Sequence, residues 1–141
     1  MERLVDRLET ARKALKTLKS VAGHKRPSLE KRDAAIQRFE YTFEAVWKAI
    51  QHYLAEEEGL SIASPKGCIR ASREVGLLND AESVLALQMT DDRNLTSHTY
   101  NEGIAKKIYR VLVPYCELLE KWLDATERRY GASGAYHGQN D

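Results

Sequence analysis

The chain has 141 residues, 43% hydrophobic and 30% charged, with 8 Gly and 3 Pro. That mix excludes collagen-like and wholly disordered classes, and the length suffices for one domain with its own core. The net charge of +1 conceals an asymmetry, with +6 on residues 1–38 and −5 on residues 39–141, which is compatible with one basic face but is no nucleic-acid signature by itself. In the first segment Leu4, Leu8, Ala11, Leu15, Leu18 and Ala22 recur at helical spacing, the stripe of an amphipathic helix. Gly23 is read as its stop.

A second helix is predicted from about Ser28, its cap, to Glu58. Ile36, Phe39, Phe43, Val46, Trp47, Ile50, Tyr53 and Leu54 give it a wide aromatic stripe, and at about 1.5 Å per residue it spans roughly 45 Å. Ser64-Pro65 opens a short helix ending near Val75 and Gly76. Asn79 and Glu82 have the spacing of a capping box, and Val84, Leu85, Leu87 and Met89 supply the apolar contacts of the helix that follows. Thr99 and Glu102 form a second box, predicting a last helix to about Tyr130 with a kink at Pro114. The fold expected is all-α, an up-and-down antiparallel bundle of four to five helices over residues 1–130. Residues 131–141, small and polar, are read as a disordered tail.

Two cysteines, Cys68 and Cys116, argue against a disulfide framework and for a reducing compartment. The N-terminus is charged throughout and no apolar run reaches membrane-spanning length, so a cytoplasmic protein without membrane contact is expected. Gly-rich phosphate loops, C-x-x-C and H-E-x-x-H are all absent, and neither a cofactor nor a metal site is expected. His24, His52, His98 and His137 are scattered. Glu40 and Glu44 read as a polar edge or dimer contact rather than a carboxylate metal site. The run Glu56-Glu57-Glu58 is a solvated helix end or, on a sharper reading, a docking patch for a basic partner.

One stretch, Asp91 to Tyr100, gathers polar residues at the junction of two apolar-patterned helices. A straight helix sets Arg93 and His98 about 140° apart, whereas a break between them lets both aim into one groove. The chemistry such a pair supports is metal-independent phosphodiester cleavage. Arg93 would hold a phosphate and stabilise its developing charge, and His98 would move the proton of a ribose hydroxyl or of the leaving oxygen. Tyr100 would bond the phosphate or stack on a base. Asp91 or Asp92 would orient His98 or Arg93, with Asn94 as a further support. The bland alternative is that Arg93 pairs with Asp91 or Asp92 and His98 caps a helix.

R-N-L-T-S-H-T-Y (Arg93–Tyr100) is an R-x-x-x-x-H-x-Y motif and resembles the signature of the HEPN superfamily, in its branch encoded beside minimal nucleotidyltransferases. With RFEYTFEAVWKAIQHYL (Arg38–Leu54) and PKGCIRASREVGLL (Pro65–Leu78), it is similar to the nucleotidyltransferase substrate-binding protein family over about residues 3–125. That resemblance implies a helical homodimer whose two motifs face each other across a groove, in a hetero-oligomer with a minimal nucleotidyltransferase. In HEPN toxins the motif's Arg and His, here Arg93 and His98, are the ribonuclease residues. In toxin–antitoxin members the motif's Tyr, here Tyr100, receives AMP from the partner, which silences the nuclease. Three readings follow: an endoribonuclease toxin acting on tRNA or mRNA and neutralised by its antitoxin, a non-catalytic substrate-binding subunit of a two-component nucleotidyltransferase, and a plain interaction bundle.

Overall fold

A computed structural model describes residues 3–132. Among these the chain forms six α-helices: α1 (Leu4–Lys19), α2 (Leu29–Glu57), α3 (Pro65–Glu74), α4 (Asp80–Leu95), α5 (Glu102–Arg110) and α6 (Leu112–Ala132), with a 3-10 turn, Thr96–His98, between α4 and α5. No strand occurs among the described residues. The all-α bundle agrees with the sequence reading, with one helix more than the upper count. Nor is any helix among the described residues long and apolar enough to cross a membrane.

The extra helix comes from Pro114. It lacks the N–H that would bond Arg110, and its ring crowds that carbonyl. Rather than kinking, the chain breaks at Val111 (φ −100°, ψ 4°) and restarts, leaving Pro114 in the first turn of α6, where the missing donor costs nothing. The break lets α5 pack on α2 while α6 runs against both α1 and α2. The start of α5 also differs from expectation. Thr99 follows the 3-10 turn, its hydroxyl bonded to the Thr96 carbonyl, and Asn101 is the cap, accepting from Ile104 N–H. Helix α6 continues two residues past Tyr130. The rest of the predicted tail, with His137, lies outside the described residues.

The α1 stripe from Leu4 to Leu18 is buried as read, and α2, 29 residues long, buries the whole aromatic stripe. Phe39 stacks on Tyr115 of α6 with ring centroids 5.7 Å apart and meets Phe43 edge-on. Helix α4 departs from its apolar reading. Val84 is exposed, Leu85 and Leu87 are half-buried, and the buried face is Ser83, Ala86, Met89, Thr90 and Asp92. Its hydroxyls remain satisfied by backbone carbonyls, Ser83 bonding Asn79 and Thr90 bonding Ala86.

The charge asymmetry is answered inside the molecule. Arg12 of α1 bonds Asp124 and Glu127 of α6, and Lys19 bonds Glu120. The basic stripe of the first helix therefore lies against the acidic stripe of the last. The Glu56-Glu57-Glu58 run is likewise engaged within the chain: Glu56 takes His52, while Glu58 takes the Tyr53 hydroxyl and Arg129.

Candidate functional site

The R-x-x-x-x-H-x-Y motif occupies the last turn of α4, the 3-10 turn and the residues leading to α5. Successive helical residues project about 100° apart, so Asp91, Asp92 and Arg93 address three different helices. Asp91 reaches Lys66 of α3 at 2.7 Å. Asp92, 3% exposed, accepts from the Tyr115 hydroxyl of α6 at 2.5 Å and lies 3.7 Å from Lys107. Burial and the Asp92 bond push the Tyr115 hydroxyl well above the ordinary tyrosine value. The expectation that Asp91 or Asp92 orients His98 or Arg93 is therefore corrected, because both carboxylates are engaged elsewhere. Asn94 is exposed, and its carbonyl accepts from Ser97.

Arg93 turns toward α2. One guanidinium nitrogen lies 3.4 Å from Glu44 and another donates to the Thr96 hydroxyl at 3.2 Å. That hydroxyl donates back to the Arg93 carbonyl, closing a ring that fixes the helix end. Glu44 also accepts from the Trp47 indole at 3.0 Å. Arg93 Nε is buried and finds no partner among the described residues. Sequence reasoning missed Glu44 as the arginine's partner. Its only signal was a carboxylate beside the aromatic stripe, four residues from Glu40.

His98 and Tyr100 form a separate pair on the surface. Tyr100 is 84% exposed. Its hydroxyl lies 3.2 Å from His98 Nδ1, with the rings edge-on. Between Arg93 and His98 the helix tightens into a 3-10 turn instead of breaking, and among the described residues no hydrogen bond joins them. With Nδ1 unprotonated, His98 is within reach of the Tyr100 proton, the geometry of a general base beside a nucleophile. Among the described residues, no group of three or more His, Cys, Asp or Glu is placed to hold a metal. Cys68 and Cys116 are both buried and free, and burial pushes each thiol up to about 11.

A family model described as nucleotidyltransferase substrate binding protein like matches residues 6–128. The chain belongs to this family. A crystal structure of a protein from Thermus thermophilus is 61% identical in sequence and superposes with a TM-score of 0.81, covering 82% of this chain and 98% of that one. No curated protein matches the chain. The motif turn thus lies within the residues matched by the nucleotidyltransferase substrate-binding family.

Proposed function

We propose that this protein is the helical partner subunit of a nucleotidyltransferase, and that the His98–Tyr100 turn is the surface it presents to that enzyme. One observation carries the reading: Tyr100 stands 84% exposed with its hydroxyl on a histidine ring nitrogen. A large aromatic side chain left in water, its hydroxyl on an imidazole nitrogen that can take a proton, is a costly ornament for a bundle and a serviceable acceptor for group transfer. In that transfer the Tyr100 oxygen attacks the α-phosphorus of a bound nucleoside triphosphate and His98 takes the hydroxyl proton. A tyrosyl–phosphorus bond forms, the α–β phosphoanhydride breaks and pyrophosphate leaves.

The test is co-expression with a minimal nucleotidyltransferase subunit. The expected result is a hetero-oligomer in which intact-mass analysis finds added nucleotidyl groups on the parent and none on Tyr100→Phe. A complex that forms while Tyr100 stays unmodified leaves the non-catalytic substrate-binding subunit. Failure to associate at all sinks the reading.

A second reading is favoured by Arg93. Its contact with Glu44 is 3.4 Å long and its side chain stays 26% exposed, so the terminal guanidinium nitrogens retain bonding capacity for a phosphate. Here the protein is a metal-independent endoribonuclease toxin acting on tRNA or mRNA. Two motifs meet across a homodimer groove, Arg93 holds the scissile phosphate and His98 moves the proton. A nucleotidyl group on Tyr100 places negative charge beside the motif and silences it. RNA cleavage in EDTA by unmodified protein, lost in Arg93→Ala and in His98→Ala, is the expected result. Silence of unmodified protein over an RNA panel removes this reading and leaves the first standing.

A further inference from the structure

A second feature lies outside the motif. A cleft of about 710 Å³ opens between the α1–α2 loop, the start of α2 and one face of α5 running into α6. This is the size range of small-molecule sites. Four of its lining side chains are cations, Lys25, Arg32, Lys106 and Arg110, against the single carboxylate of Glu102. Leu29, 64% exposed, and Val113, 42% exposed, give it an apolar side. Both are large hydrophobic residues left in water within the same concavity.

The walls are built rather than loose. Arg32 is only 8% exposed and grips Glu102 with two parallel bonds of 2.9 Å, tying the start of α2 to the start of α5. That bond holds the Glu102 carboxyl below its usual range. Asp33 also approaches Arg32 at 3.5 Å, and Glu102 is drawn by Lys106 as well, yet Lys25, Lys106 and Arg110 leave the cleft lining with more cations than carboxylates. Arg32 Nε is buried with no partner among the described residues. On the opposite wall the Tyr109 hydroxyl donates to the Val21 carbonyl at 3.0 Å and accepts from His24 N–H at 3.2 Å. Gly23 (φ +81°) presses so close to α6 that a Cβ there would sit 2.9 Å from a Val113 methyl. The loop is therefore pinned at both ends of its turn.

We propose that this cleft binds a nucleoside polyphosphate, its phosphates on Lys106, Arg110 and Lys25 and its base against Leu29 and Val113. Four cations against one carboxylate leave the lining of a preformed concavity with net positive charge, which a polyphosphate offsets. The exposed apolar pair distinguishes a nucleotide from a bare anion. The site is separate from the Tyr100 turn and does not rest on the function proposed for it.

The experiment is calorimetric titration of the full chain with ATP, inorganic triphosphate and adenosine. ATP is expected to bind, more tightly at low salt, and a Lys106→Ala/Arg110→Ala double variant is expected to weaken it by about tenfold or more. Both residues are exposed, so circular dichroism melting is expected to match the parent. Leu29→Ser weakens ATP and leaves triphosphate alone. Three results overturn the proposal: absence of ATP binding, ATP binding unchanged in the double variant, or triphosphate binding as tightly as ATP.

Discussion

Two tyrosines on either side of α5 make opposite use of the same hydroxyl. Tyr115 is completely buried, its hydroxyl held on the Asp92 carboxylate, its ring stacked on Phe39 and its proton retained far above the ordinary range. Tyr100 stands in water with its hydroxyl on a histidine. The first is a brace, because a buried donor and acceptor that satisfy each other tie α4 to α6 and exclude other chemistry. The second is reactive surface, since His98 alone among the described residues holds its hydroxyl and solvent or a partner can reach it. A tyrosine beside a titratable side chain is therefore no evidence of chemistry until its burial is known.

The contrast can be broken by substitution. Asp92→Ala leaves the Tyr115 hydroxyl buried without its acceptor and is expected to cost about 2–3 kcal/mol in urea unfolding. Tyr115→Phe keeps the ring packing and loses the bond, for about 1–2 kcal/mol by the same assay. If Asp92→Ala is neutral, the brace is not one.

Alkaline pH sharpens the comparison further. Tyr53, desolvated and bonded to Glu58, is pushed up to about 12, and Tyr115 is raised as well. Both keep their protons in the folded state at pH values where the unfolded chain, with tyrosines near about 10, has released them. The folded state then binds more protons than the unfolded one. The stability from this source is complete below pH about 10 and is lost as pH rises toward the folded values. Unfolding midpoints measured across that window should fall, and less steeply in Tyr115→Phe.

At the small end, Tyr100→Phe should leave the unfolding midpoint where it is while removing nucleotidyl acceptance. A midpoint that shifted by as much as in Tyr115→Phe would make Tyr100 a structural residue. Cys68 and Cys116, buried with raised pKa values, should stay inert to a thiol reagent at neutral pH until urea unfolds the chain.

The helices were legible in the sequence because their signals are local. The leucine stripe of α1, the Ser28 cap and the Asn79–Glu82 box depend on neighbours a turn away, and each is found as read. What escaped was non-local. Nothing within five residues of Arg93 points to Glu44, about fifty positions earlier in the chain. Nothing near Asp92 announces Tyr115 on a helix not yet begun. The Thr99 box failed in competition, because the 3-10 turn takes Thr99 and Asn101 offers the same cap two residues later. Val84 failed for a related reason: α4 puts satisfied hydroxyls where apolar periodicity had placed aliphatics. At the motif, the residues and their order could be read, but not which helix each side chain would face.

The ionic seam between α1 and α6 has a consequence for synthesis. Of the six helices α1 is made before the others, carrying a leucine stripe and a row of cations, and the next helix available to it is α2. The carboxylates that complete it belong to α6, which emerges last of the six. Until then Arg12 and Lys19 face water and the apolar flank of α1 is half covered, a nascent state open to chaperones and to premature association. The arrival of α6 closes the bundle along its whole length.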